Sequence, residues 1–164
     1  WQPPGHEGEI MATAPYVMDE YWELPEKTAE TVEDGWVHTG DIGKRDEDGY
    51  VYLLDRKSNM IISGGMNVYS TDVEDVLATH PNVAQVAVIG VPDEKWGEAV
   101  TAIIVPDGEV TSADIHDFSD DELGDYKRPK HVEFRDELPK TPYGKIDKKA
   151  LREPYWDGSD RSIN

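Results

Sequence analysis

Nine of the 16 basic residues fall within residues 127–152, where only four acids accompany them. Cations this close together can hold an anion, stabilise negative charge as it develops in a reaction, or pair with the chain's own acids. For Lys148, Lys149 and Arg152 the last reading is preferred, a solvated lysine-bearing helix with acidic neighbours. Lys127-Arg128-Pro129-Lys130 and Lys145 read instead as ligands of an anion, because a chain that avoids basic charge elsewhere concentrates it here. Other chemistry is missing from the sequence. With no cysteine there are neither disulfides nor thiolate metal sites. The five histidines are scattered along the chain and argue against a metal site. There is no phosphate loop ending in Gly-Lys-Ser or Gly-Lys-Thr, no dinucleotide glycine fingerprint, no His-Glu-x-x-His and no nucleophile elbow.

The basic segment carries +5 within a chain of formal charge −19, so the remainder stands at −24. That balance argues against a broad nucleic-acid surface, which needs a basic footprint. The acids are diffuse and do not cluster on one segment, a distribution that suits a halophilic protein kept soluble where salt screens self-repulsion. A hydrophobic content of 37% in 164 residues is enough for a core and argues against disorder. Apolar runs are only a few residues long, as at 86–89 and 102–105, so no membrane span is expected. With no signal peptide visible either, the expected location is cytoplasmic. The opening Trp1-Gln2-Pro3-Pro4-Gly5 reads like a mid-chain loop, so a fragment is expected.

The elements that must position these residues change character near Met60. Residues 1–54 read as β-rich with one short helix. Residues 9–14 form a strand, 24–31 a helix with Pro25 at a tolerated starting position, and 35–41 a strand ending in a turn. Residues 42–45 and 50–54 flank Asp46-Glu47-Asp48-Gly49 as a hairpin. Beyond Met60 a short strand (60–62) leads through the tight loop Gly64-Gly65-Met66-Asn67 to a helix. Ser70 or Thr71 caps that helix, which runs to about Thr79 with Val73, Val76 and Leu77 on its apolar face. Strands follow at 83–91 and 99–105, then a helix opening at Thr111 or Ser112, a strand at 131–134 and a helix at 146–152. The order β-α-β-β-α-β predicts an α+β unit with its helices on one sheet face.

Four segments, in order, resemble one family. Trp36-Val37-His38-Thr39-Gly40-Asp41 resembles the tyrosine/histidine-Thr-Gly-Asp segment of the adenylate-forming (AMP-binding) acyl-CoA synthetases. Asp55-Arg56-Lys57-Ser58-Asn59-Met60-Ile61-Ile62-Ser63-Gly64-Gly65-Met66-Asn67-Val68 is similar to their hinge and following glycine loop. Leu123-Gly124-Asp125-Tyr126-Lys127-Arg128-Pro129-Lys130 resembles their Leu-x-x-Tyr-Lys-x-Pro segment. Leu138-Pro139-Lys140-Thr141-Pro142-Tyr143-Gly144-Lys145-Ile146 resembles their carboxy-terminal lysine segment. The resemblance implies the end of an enzyme. Residues 1–55 correspond to the β-rich last part of the large AMP-binding domain, 56–58 to a hinge, 59–152 to the small mobile C-terminal domain, a β-sheet with helices packed on it, and 153–164 to a frayed tail.

By the same resemblance the whole enzyme joins a carboxylic acid to ATP, releases pyrophosphate, and passes the acyl group from AMP to coenzyme A. Mg2+ would be held mainly by the absent N-terminal domain, and this chain alone would be inactive. Lys145 would stabilise charge at the carboxylate–phosphate junction, where a cation is required. Asp41, with two acceptor oxygens, would hold both ribose hydroxyls. Arg56 would contact the nucleotide near the hinge, an ion pair with Asp55 or Glu74 being the alternative. Ser58 falls on the pivot, where many relatives carry Asp or Lys. Gly64 and Gly65 would line the pantetheine tunnel, whereas Met66 stands where relatives often have Glu and takes no role. Trp96 would lie near coenzyme A or pack in the core, and Arg128 and Lys130 near its phosphates. Two other functions stand beside this one: an adenylation domain loading a carrier protein, and a non-catalytic module that completes a partner.

Overall fold

The computed structural model describes residues 1–156, which divide into two compact units, Trp1–Ser58 and a second that begins at Asn59. The first unit contains β1 (Glu7–Ala12), the short helix α1 (Pro25–Thr31), β2 (Val32–Glu33), β3 (Trp36–Arg45) and β4 (Val51–Arg56). All three other strands pair antiparallel with β3. Asp34 and Gly35, at φ 51° and 78°, make the two-residue turn between β2 and β3. Such turns need positive φ at both positions, which Asp-Gly supplies. The expected turn at Asp41 does not form, and β3 runs unbroken to Arg45. Gly40 takes φ 72° and the register with β4 slips between Ile42 and Gly43, so the strand bulges there and continues. The hairpin around residues 46–49 is present, with Asp46 accepting from the Tyr50 amide and the Tyr52 hydroxyl, each at 2.9 Å.

After a 3-10 turn at Lys57–Asn59, the second unit contains β5 (Ile61–Ser63), β6 (Met66–Val68), α2 (Ser70–Leu77), β7 (Val83–Asp93), β8 (Gly97–Pro106), α3 (Ser112–Glu122), β9 (His131–Phe134) and α4 (Lys148–Trp156). The sheet order is β6-β5-β8-β7, with β9 parallel to β8. This is the expected α+β class, with two changes in detail. The tight loop after β5 is a hairpin whose second arm is β6. The helices also occupy both faces of the sheet. Val86 and Val88 of β7, with Val100, Ala102 and Ile104 of β8, pack in one core with Val73 and Leu77 of α2 and Ile115 of α3. Ala87, Ile89, Val91, Ala99 and Ile103 point the other way and meet Leu151 of α4. Successive strand residues alternate between faces, so two covered faces require unbroken apolar runs.

Helix termini follow local chemistry. Thr111 caps α3 in a reciprocal box with Asp114, accepting from the Asp114 amide at 3.3 Å while the Asp114 carboxylate accepts from the Thr111 amide at 2.8 Å. Neither Ser70 nor Thr71 caps α2. Its first flanking residue is Tyr69, which makes no side-chain cap, and Ser70 is turned inward. α4 also departs from expectation, because residues 153–156 are helical and not a tail. Tyr155 donates to the Glu133 carboxylate at 2.6 Å and the Trp156 indole to the Gly90 carbonyl at 3.0 Å. The rest of the expected tail, 157–164, lies outside the described residues.

Candidate functional site

In the first unit Asp41 and Arg56 face each other across β3 and β4. Arg56 Nε lies 2.7 Å from Asp41 Oδ1, with the arginine side chain 61% exposed. Within this unit the ion-pair partner of Arg56 is Asp41, while Asp55, weighed above only as an alternative partner, accepts from the Arg56 amide at 2.7 Å. The bulge at Gly40 brings the aspartate beside the arginine. The Gly40 backbone amide donates to Glu9 Oε1 at 3.2 Å, and Glu9 Oε2 lies 3.2 Å from His38 Nδ1 and 3.6 Å from Lys57 Nζ. Partial burial would push the Glu9 carboxyl up. The His38 hydrogen bond, the Lys57 charge and the Gly40 amide outweigh it and hold the group below the ordinary carboxylate range. A carboxylate and an exposed guanidinium held side by side can accept from hydroxyls and donate to an anion. Ser58 occupies the middle of the 3-10 turn that follows.

In the second unit the β5–β6 hairpin approaches the β7–β8 turn. The Gly64 amide donates to the Trp96 carbonyl at 2.8 Å. Gly64 has φ 59°, and a Cβ there would lie 3.1 Å from Trp96 Cε3. Gly65, at φ 80°, has open space where its Cβ would be. Asp93 shapes the turn by accepting from the amides of Lys95 and Trp96 at 2.8 and 2.9 Å. The half-buried Trp96 ring has Lys95 Nζ 4.5 Å and Lys130 Nζ 5.1 Å from its centre. An aromatic face flanked by two ammonium groups suits a flat base that carries phosphates. Lys130 also donates to the Asp125 carbonyl at 3.0 Å.

Arg128, expected on the same ligand, is committed to the end of α3. It donates to the Leu123 and Asp120 carbonyls at 3.2 and 2.9 Å and pairs with the Asp120 and Asp125 carboxylates at 3.1 and 2.9 Å. Lys127 pairs with Asp72. Lys145 sits in a loop closed by the Lys140–Ile146 bridge. The Thr141 amide donates to the Lys145 carbonyl at 2.7 Å, and Gly144, at φ 82°, donates to the Thr141 carbonyl at 2.9 Å. The loop's backbone is therefore tied down while the Lys145 side chain stands exposed. Among the described residues no group of three or more His, Asp or Glu could hold a metal, and no helix is long and apolar enough to cross a membrane.

Residues 72–145 match the family model described as the AMP-binding enzyme C-terminal domain. Over that segment the chain resembles the AMP-binding, adenylate-forming enzymes. The chain is 47% identical, over 99% of its length, to the fatty acid–[acyl-carrier-protein] ligase ScoC of Streptomyces coeruleorubidus, and covers 32% of that protein. It is 46% identical, over 97% of its length, to the medium/long-chain-fatty-acid–CoA ligase FadD8 of Mycobacterium tuberculosis, covering 29%. The crystal structure of ATP-bound MatB from Rhodopseudomonas palustris superposes at a TM-score of 0.88 with 42% identity, over 95% of this chain and 32% of that one. The chain thus spans about a third of the length of these relatives. Reasoning from sequence missed Glu9, Lys57 and Lys95. Lys95 had a signal, since it directly precedes Trp96. Glu9 had none, because its partners lie 29 to 48 positions away along the chain.

Proposed function

We propose that this chain is the C-terminal part of an ATP-dependent acyl-CoA synthetase from a salt-adapted cytoplasm. In the first step a substrate carboxylate oxygen attacks the α-phosphorus of ATP and pyrophosphate leaves. In the second the thiol of coenzyme A attacks the acyl carbon, AMP leaves and the thiol proton passes to solvent. Asp41 accepts from the ribose hydroxyls and Arg56, held beside it, contacts the nucleotide. Lys145 meets the developing charge. Residues 56–58, with Ser58 as pivot, form the hinge between the halves. The pantetheine arm runs past Gly64 and Gly65, with the adenine on Trp96 and phosphates toward Lys130 and Lys95. Arg128 reaches a phosphate only by exchanging its bonds to α3, and otherwise supports the segment that presents Lys130. Among the described residues no carboxylate cluster suits Mg2+, and the steps above are carried by the chain's own side chains.

The observation that carries this reading is the exposed Lys145 on a pinned loop, in a family segment, together with the Asp41–Arg56 pair. A carrier-protein pantetheine could enter past the same glycines. ScoC, a carrier-protein ligase, and FadD8, a CoA ligase, are about equally similar, so this second acceptor stands as the alternative. The test is Lys145→Ala beside Gly65→Leu in the full-length protein, with pyrophosphate exchange for the first step and thiol consumption from synthetic acyl-adenylate for the second. Lys145→Ala should lower exchange by roughly 10²–10³-fold, as loss of one electrostatic stabiliser does, and spare the second step. Gly65→Leu should do the reverse. Equal losses in both steps for both variants would refute the assignment. The 164-residue chain alone should show no exchange.

A further inference from the structure

Lys148, three residues beyond Lys145 and the first residue of α4, does not lie on a solvated helix face. Its side chain is 13% exposed, and Nζ lies 2.7 Å from Glu74 Oε1, 2.8 Å from Glu74 Oε2 and 2.7 Å from Ser70 Oγ. Ser70 is fully buried and Glu74 is 17% exposed. Glu74 Oε1 also accepts from the Val88 amide at 2.6 Å. Among the described residues β7 pairs only with β8, so that amide lies on the outer side of β7, and the carboxylate satisfies it where a further strand otherwise would. α2 and α4 cover opposite faces, so this ion pair closes around the edge and ties one helix to the other.

Such a pair is a poor source of stability, since desolvation offsets most of its attraction and a packed apolar pair would hold the helices as firmly. It differs from an apolar pair in geometry, because three acceptor atoms leave the ammonium one position. That position fixes the base of the Lys145 loop. The tip is already set by the Thr141–Lys145 and Gly144–Thr141 bonds, and the stem by the Asp147 amide on the Pro139 carbonyl at 2.8 Å. We propose that Lys148, gripped by Glu74 and Ser70, is a positioning residue for Lys145. The inference rests on the reading of Lys145 given above.

Lys148→Met in the full-length protein should cut kcat for pyrophosphate exchange by 10- to 100-fold, since about 1 Å of misplacement can cost that much. KM for ATP should hold, as should thioester formation from supplied adenylate. Lys148→Arg should recover part of the loss. The double variant Lys148→Met/Glu74→Gln leaves no unpaired charge and keeps an acceptor for Val88, so it should fold and show the same split. In the 164-residue chain both Met variants should speed hydrogen exchange at the Thr141 and Asp147 amides. Wild-type exchange kinetics in Lys148→Met, or equal loss in both half-reactions, would overturn the proposal. If Lys145→Ala itself keeps full activity, the functional reading fails. Amide protection of the loop then still decides whether Lys148 holds it.

Discussion

Adding one methyl group to each of two neighbouring glycines separates backbone strain from side-chain crowding. Gly64 and Gly65 both adopt positive φ, so alanine at either pays a left-handed penalty of about 1–2 kcal/mol. Part of it, roughly 0.4–1 kcal/mol, is returned because alanine restricts the unfolded chain. At Gly65 the account ends there, since the new Cβ enters open space. At Gly64 the Cβ would stand 3.1 and 3.3 Å from two carbons of the Trp96 ring, so the indole must shift by a few tenths of an ångström. Crowding of this kind costs about 1–3 kcal/mol, and the half-buried ring should place it near the lower end. Gly65→Ala should therefore lose about 1 kcal/mol and Gly64→Ala about 2. For a unit of this size each kcal/mol moves the melting temperature by about 4–8 °C, a difference that thermal unfolding by circular dichroism resolves. Repeating both substitutions in a Trp96→Leu background should erase the gap, which is the coupling a double-mutant cycle reads. Equal losses with Trp96 in place would refute the packing of its ring on Gly64. A gap that survives its removal would assign the crowding elsewhere.

Other outcomes follow from single groups. Ser63 Oγ is buried with no hydrogen-bond partner, so Ser63→Ala should raise stability by about 1 kcal/mol in urea unfolding; a comparable fall would mean the hydroxyl is partnered. The Glu9 carboxyl titrates below its unfolded value, so its contribution is present above the unfolded pKa and is lost as pH falls through the lower folded one. Glu9→Gln should accordingly flatten the acid side of the first unit's stability profile, and an unchanged acid limb would count against the network with His38, Lys57 and Gly40. The diffuse acidic charge should make the melting temperature higher in molar potassium chloride than at 0.01 M, where the Debye length is about 30 Å. Equal values in both would sink the salt-adapted reading.

Elements whose signals are local were legible in the sequence. The 46–49 hairpin, the Thr111 start of α3 and strand β9 at 131–134 all announce themselves within a few residues. Where reading failed, tertiary contacts decided. Gly40 looked like the end of a strand, yet pairing on both sides of β3 carried the chain through it. Ser70 looked like a cap but was drawn inward by Lys148. The placement of α4 was misread although its signal was present: the unbroken runs at 86–89 and 102–105 show no alternation, which a sheet open on one face would have. At the site, the four family-like segments named Asp41, Arg56, Gly64 and Lys145, and the resemblance added Trp96 outside them. What they could not supply was pairing, such as Asp41 with Arg56, or Arg128 with the end of α3, because the partners are remote in sequence or share one motif with several acids.

The closure of the β7 edge has a consequence for solubility. β7 is eleven residues long and mostly apolar, and its outer amides and carbonyls would offer a template to any extended chain that met them. Two side chains occupy that template, the Glu74 carboxylate at Val88 and the Trp156 indole at Gly90, one brought by each helix layer. Shortening the chain just ahead of Trp156 would remove one stopper and loosen the helix that holds Lys148 against the other. The product would keep its sheet and lose its protection, so it should gather into strand-paired aggregates.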